Sequence, residues 1–183
     1  MKKLAVLVSG TGSLLEAMLK DDIPIAYIAA DRMCRGFDIG TLAHIETDII
    51  PRSFGSDFDR VAYTVKVRDR MRSKGIECVA MAGFMTIFSA EMFLCYKGLI
   101  LNTHSSLLPA FPGAHAVRDA LRAGVTQTGC TVHVATAELD AGPILARAVV
   151  PVEPGDTEVA LHERIKGAER VLYPRVIRQQ LAL

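Results

Sequence analysis

Asn102, His104 and Asp140 are the residues of this chain whose types suit acyl transfer. Asn102 and His104 stand two apart at the end of the apolar run Leu99–Thr103, so the period of a strand puts both side chains on one face. Asp140 sits in Glu138-Leu139-Asp140-Ala141-Gly142-Pro143, where Gly and Pro shape a turn. An amide holds a developing oxyanion, and an imidazole hydrogen-bonds it or moves protons. A carboxylate beside an imidazole orients it and favours its charged form. Each residue also has a plainer reading. A strand-end Asn-x-His is as readily a hydrogen-bonded structural pair, and an isolated Asp in such a turn is a turn residue.

Ser9-Gly10-Thr11-Gly12-Ser13 follows an apolar run and precedes a helix, where free backbone N–H groups and the helix dipole attract phosphate. No Gly-Lys-Ser/Thr ending follows, so it is not a Walker loop. Asp31 falls near the ribose position of a dinucleotide fingerprint, but Leu15 occupies the place of the third glycine. A phosphate-bearing ligand, a dinucleotide and a merely tight turn all remain open for this loop. Ser105, Ser106 and Cys130 are the nucleophiles nearest in sequence to the candidate centre, and none lies in a Gly-x-Ser-x-Gly elbow. Cys130 reads as a buried small hydrophobe. His133, in the same strand pattern, reads as structural. His115 stands at the start of a helix, and His44 and His162 read as surface or core-edge residues. No ligand cluster supports a metal.

The elements that must position these residues alternate. Leu4–Val8 and Ile25–Ala30 read as buried strands around a helix at Leu14–Leu19. A helix over Asp57–Lys74 is predicted to face inward through Phe58, Val61, Ala62 and Val65. Glu77–Ala82 and Leu99–Thr103 are further core strands, with a short helix near Ser89–Tyr96. Such alternation implies right-handed crossovers and a parallel sheet, that is, an α/β fold. After about residue 124 the pattern changes. Thr128–Thr136 and Ile144–Val152 predict a hairpin added to the sheet. A final helix follows, capped by Asp156, with Leu161, Ile165, Ala168 and Leu172 as its stripe and Pro174 kinking or restarting it. Ligands of open parallel sheets bind beyond the carboxyl ends of the strands. Ser9–Ser13, Gly83–Thr86 and Asn102–Ser106 all fall there.

The bulk properties fit a single globular domain over 1–183. Half of the residues are hydrophobic, 22% are charged, and the net charge is +1. So weak an overall field predicts no nucleic-acid or membrane partner. No apolar run approaches the roughly 20 residues of a membrane helix, and Met1–Val8 reads as a strand rather than a leader. Cys34, Cys78, Cys95 and Cys130 are scattered without a Cys-x-x-Cys pair, which fits a reducing cytoplasm.

Four stretches occur in order: Ser9-Gly10-Thr11-Gly12-Ser13, Ala82-Gly83-Phe84-Met85, Asn102-Thr103-His104-Ser105-Ser106-Leu107-Leu108-Pro109-Ala110-Phe111-Pro112-Gly113 and Leu139-Asp140-Ala141-Gly142-Pro143-Ile144. Together they resemble the phosphoribosylglycinamide formyltransferases, within the folate-dependent formyltransferase family, over nearly the whole chain. The resemblance implies a Rossmann-like formyltransferase fold: a mostly parallel twisted sheet with an added C-terminal hairpin and final helix. It implies 10-formyltetrahydrofolate as co-substrate, small-molecule partners only, no metal, and a monomer or homodimer. By this resemblance Asn102, His104 and Asp140 are catalytic in direct transfer of formyl to the amine of the ribotide, with Asn102 and protonated His104 stabilising the oxyanion. Arg60, Met85, Thr86, Ile87, Phe88, Asn102, Thr136, Ala137, Glu138, Leu139 and Asp140 fall on the formyl-folate side. Gly12, Ser13, Leu14, Lys166, Gly167, Ala168 and Glu169 fall on the ribotide phosphate side.

Departures from the family pattern bear on both sides. Leu14 stands where an asparagine is usual, Thr86 where an arginine is usual and Ser105 where a proline is usual. The chain closes at Leu183, short of the usual C-terminal extension. The rival readings are a formyltetrahydrofolate hydrolase, a formyltransferase acting on another amine, and a non-catalytic folate- or nucleotide-binding protein.

Overall fold

Strand β1 (Leu4–Val8) is buried along its whole length, and its alternate residues feed two cores. Leu4, Val6 and Val8 point into one and Ala5 and Leu7 into the other, as a strand covered on both faces requires. A computed structural model describes residues 2–182 of the chain. After β1 come α1 (Ser13–Lys20), β2 (Ile25–Ala30), α2 (Arg35–Leu42), β3 (Thr47–Ile49), α3 (Arg60–Ser73) and β4 (Cys78–Met81). Then follow α4 (Ala90–Cys95), β5 (Ile100–His104), α5 (Ala116–Arg122), β6 (Gln127–Val134), β7 (Ile144–Pro151) and α6 (Glu158–Leu181).

The seven strands form one sheet in the order β3-β2-β1-β4-β5-β6-β7. The ladders from β3 to β5 are parallel, and β5–β6 and β6–β7 are antiparallel. The α/β class and the appended hairpin are as the sequence predicts. Helices α1 and α6 cover one face through Leu14, Leu15, Met18, Leu161, Ile165 and Leu172. Helices α3 and α4 cover the other through Tyr63, Val67, Met71 and Met92. The chain leaves β1 for β2 and β3 on one side and returns to β4 and β5 on the other. A crevice therefore opens beyond the carboxyl ends of β1 and β4.

Several local expectations need correction. Helix α3 starts at Arg60 because the Asp59 carboxylate accepts the Ala62 N–H at 2.9 Å. Its buried face is Tyr63, Thr64, Val67 and Met71, while Val61 and Ala62 are exposed. The cap that opens α6 is Thr157, whose hydroxyl accepts the Ala160 N–H at 3.2 Å. Asp156 is engaged elsewhere: it binds Arg164 at 2.7 and 3.0 Å and the Glu153 N–H at 2.8 Å. Helix α6 runs through Pro174 without restarting. The sequence pattern also missed α2 and β3. No helix of the described residues is long and apolar enough to cross a membrane.

Candidate active site

Where β5 meets β6 the sheet turns antiparallel, and Asn102 faces His133 as its ladder partner. Asn102 Nδ2 lies 3.4 Å from His133 Nε2, and His133 Nδ1 lies 3.1 Å from the Val134 carbonyl. A carbonyl only accepts, so Nδ1 carries the proton and Nε2 receives the Asn102 amide. Burial holds the His133 pKa below its ordinary value, which keeps the ring neutral and this tautomer in place. The Asn102 amide nitrogen has two hydrogens, so its second remains for a ligand.

His104, two residues further along β5, donates from Nε2 to the Phe111 carbonyl at 2.8 Å. Its Nδ1 then faces Asp140 Oδ2 at 3.4 Å. That separation is long for a charge-assisted bond, and apo catalytic contacts of this kind tighten only on the reacting complex. The same Asp140 oxygen accepts the Gly113 N–H at 2.8 Å, and the other lies 3.8 Å from His133 Nε2. Asp140 adopts a left-handed φ of 54°. Behind it, Gly142 brings the turn against β6 so closely that a Cβ there would stand 1.8 Å from the Val134 carbonyl oxygen. The side chain of Asp140 is only 5% exposed, so its position is set by the turn and the imidazoles rather than by solvent.

These residues open into a cavity of about 520 Å³ beyond the carboxyl ends of β1, β4 and β5. One wall is Gly83–Phe88, with Thr136, Ala137 and Leu139 across from it. Met85, Ile87 and Leu139 are exposed there, and Phe84 stacks on Phe88 at 5.3 Å. The opposite end is Ser9–Leu14 with His162, Lys166 and Glu169 of α6.

At that end Gly12 caps α1 with a left-handed φ of 72° and no side-chain hydrogen bond. A Cβ at Gly12 would meet Gly36 Cα at 2.7 Å, so only glycine lets α2 pack against this loop. The first helical bond is Glu16 N–H to the Gly12 carbonyl, which leaves the preceding N–H groups without helical partners. Leu14 turns its side chain into the core, so what it presents to the cavity end is backbone.

His162, Lys166 and Glu169 are spaced four and three apart and share one face of α6. Glu169 is buried, which raises its pKa; hydrogen bonds from Ser105 at 3.1 Å and Thr103 at 3.3 Å work against that rise. Burial, and then the nearby Lys166, lower the pKa of His162.

Of the residues singled out from the sequence, Arg60, Glu138, Gly167 and Ala168 do not line the cavity. Arg60 opens α3 and is exposed. Glu138 is exposed and only its carbonyl is engaged, by the Thr136 hydroxyl at 2.9 Å. Gly167 and Ala168 lie off the 162-166-169 face of α6, with Ala168 packed against the core. Asp31 is not free for a ribose, because Arg32 and Thr86 occupy its carboxylate. Cys130 is fully buried and its pKa is pushed up to about 12. Among the cavity-lining residues, the sequence pattern made His133 structural and His162 a surface or core-edge residue, and it assigned none of Phe93, His115 and Glu158 to the site. The period of two placed His133 on the Asn102 face once β6 was paired antiparallel with β5, but that register is not a local signal.

The chain matches the family model described as formyl transferase over residues 2–177. It is 43% identical over 175 residues to phosphoribosylglycinamide formyltransferase of Mycobacterium tuberculosis (strain ATCC 25618 / H37Rv), covering 93% of this chain and 80% of that one. To phosphoribosylglycinamide formyltransferase of Bacillus subtilis (strain 168) it is 36% identical over 191 residues, 100% of this chain and 96% of that one. The crystal structure of glycinamide ribonucleotide transformylase 1 from Symbiobacterium toebii superposes with a TM-score of 0.91 at 37% identity, covering 97% of this chain and 86% of that one. An amide, an imidazole and a carboxylate at a strand-end crevice, in a chain matched along nearly its whole length, lead to one conclusion: this chain belongs to the formyl transferase family.

Proposed function

We propose that this chain, acting as one formyltransferase domain, moves the formyl group of 10-formyltetrahydrofolate to the amine of 5'-phosphoribosylglycinamide. The observation that carries this reading is the convergence of Asn102, His104 and Asp140 midway between a backbone-lined loop and an apolar wall. The ribotide phosphate lies on the N–H groups of Gly12, Ser13 and Leu14, with Lys166 as a point charge. The folate lies along Met85, Thr86, Ile87, Phe88, Thr136, Ala137 and Leu139.

The amine attacks the formyl carbon and a tetrahedral intermediate forms. Its oxyanion takes the second N–H of Asn102, whose amide His133 holds in orientation. A new carbon–nitrogen bond forms as the bond to N10 breaks, and one proton passes from the amine to N10. His104 Nδ1 and Asp140 stand at the loose 3.4 Å contact through which that proton can be relayed. No redox change occurs and no covalent enzyme intermediate is needed. The reading places the work in the cytoplasm, on small molecules, by a monomer or homodimer.

The test is turnover of 10-formyltetrahydrofolate with and without the ribotide, following the formylated ribotide by mass spectrometry. Consumption that depends on the ribotide is expected. Equal consumption without it would make the chain a hydrolase, and no consumption would leave it a binding protein.

A further inference from the structure

We infer that Asp31 is a positioning residue that fixes the loop Ser9–Ser13 and the segment Gly83–Phe88 relative to each other, so that both ends of the cavity are set by one buried carboxylate. Asp31 follows the last residue of β2, and Ser9 follows the last residue of β1, where Val8 and Ala30 are ladder partners. The two side chains therefore emerge side by side. The Asp31 side chain is 0% exposed. Arg32 donates to it twice, from Nε at 2.9 Å and Nη2 at 3.0 Å, and the Thr86 hydroxyl donates at 2.7 Å. The Ser9 side chain stands close enough to the same carboxylate to help lower its pKa. The Met85 N–H in turn donates to Ser9 Oγ at 3.0 Å. Two consecutive residues of the cavity wall, Met85 and Thr86, are thus held from behind through Ser9 and Asp31.

A second brace joins from the segment after β3. Arg52 donates from Nη1 to Thr86 Oγ1 at 3.1 Å, and its guanidinium lies over Phe54 at 4.5 Å and Phe58 at 4.7 Å. Arg32 lies over Phe54 as well, at 4.2 Å. The Thr86 hydroxyl is therefore used twice, as donor to Asp31 and as acceptor from Arg52, and it is 1% exposed. A hydroxyl with both roles filled and no access to solvent does not read a ligand; it holds the chain that does. Burial pushes the Asp31 carboxyl up, but the bonds from Arg32 and Thr86, with Ser9 close by, outweigh it and hold its pKa below the ordinary value. An ionised hub makes each of its hydrogen bonds stronger than a neutral pair would be. Since Ser9 opens the backbone-lined loop and Thr86 lies in the apolar wall, disturbing Asp31 should loosen both ends, whereas disturbing Thr86 should loosen one.

The kinetic part of this inference rests on the formyl-transfer reading, and the structural part does not, so the two are tested apart. Hydrogen exchange on the full chain reads the structural part. Thr86→Val should speed exchange of the amides of residues 83–88 by about tenfold or more with β4 unchanged, and Thr86→Ser should restore them. Asp31→Asn should speed both 83–88 and 9–13. In turnover, Thr86→Val should raise the KM for formyl-folate by about three- to tenfold with a smaller change for the ribotide, and Asp31→Asn should raise both. Should Asp31→Asn fail to fold, Ser9→Ala replaces it, with the same two segments as the readout. Unchanged exchange in 83–88 for Thr86→Val would overturn the inference. So would a uniform rise across the whole chain, which would make the network a stabiliser of the fold and not a clamp on the cavity. A wild-type chain without turnover would count against the transfer reading alone and leave the exchange result to decide this one.

Discussion

Where β5 meets β6, Asn102, His104, His133 and Asp140 each have a polar partner, whereas the α1 end of the cavity offers backbone N–H groups and a helix whose cap is a glycine. The first arrangement is directional. Tautomers are fixed by carbonyls, and the carboxylate is held by a backbone N–H and a strained turn. The second is permissive, because a phosphate can rotate against a fan of N–H donors without losing them all. Under the transfer proposed above, the difference follows from what each end would have to do. Transition-state charge at one atom needs donors already in place, while a remote anchor group needs only enough attraction to hold. Substitutions at the two ends should therefore fail in different kinetic constants.

The largest effect is expected at the directional end. His104→Ala, Asn102→Ala and Asp140→Asn should each lower kcat by about two to four orders of magnitude, measured by steady-state turnover of correctly folded protein. A near-normal rate in any one of them removes that residue from the chemistry. Their losses should not multiply in double variants, because the residues act as a unit on one transition state. Next is His133→Phe, which keeps a buried ring but removes the acceptor of the Asn102 amide. It should lower kcat by about tenfold with little change in KM; a change confined to KM would mean that His133 does not orient Asn102.

At the permissive end the expected change moves to KM. Lys166→Gln should raise the ribotide KM by about three- to tenfold, less than a dedicated bidentate contact would give, since this side chain already holds Glu163 at 2.7 Å. The difference from wild type should shrink as salt rises, because the group is partly exposed. A salt-independent loss would place the ammonium away from the phosphate. The smallest effect is on stability. Burial raises the pKa of Glu169 above its ordinary 4.5. As pH climbs from that value through the raised one, the unfolded chain releases this proton before the folded chain does. Stability therefore falls across that window. Glu169→Gln should flatten this slope in thermal melts taken upward from the ordinary carboxylate range; an unchanged slope would assign it to another group.

The parallel strands were legible nearly to the residue, because a strand covered on both faces is a continuous apolar run, as Leu4–Val8 and Ile25–Ala30 are. Strand β3 was not, since Thr47-Asp48-Ile49 is short and half-buried. Helix α2 was hidden by its glycines. Gly36 and Gly40 break the apolar pattern, yet they are its buried residues, where β1 and β2 approach too closely for a side chain. The face of α3 was misjudged because the reading began the helix at Asp57, three residues before Arg60. Of the residues that the cavity brings together, Asn102, His104 and Asp140 stood out by type and spacing, which left a structural pair and a turn residue equally open. His133 did not, because its meeting with Asn102 depends on a pairing across 31 residues. Nor was the position of Arg60 outside the cavity lining legible, since helix rotation is decided by packing and α3 is polar on most sides.

Tyr173 lies fully buried in α6, and its hydroxyl reaches the carbonyls of Met81 at 3.1 Å and Leu101 at 2.8 Å. Those are the final residue of β4 and the residue before Asn102. The last helix of the chain is thus bolted to the sheet at the lip of the crevice, one turn beyond Glu169 and two turns beyond Lys166. Heat or force that peels α6 away would strip one wall and uncover the reacting groups in the same event. The 24-residue helix α6 acts as a keystone, because the same tyrosine that holds it to the sheet also holds the ends of the strands that carry the site.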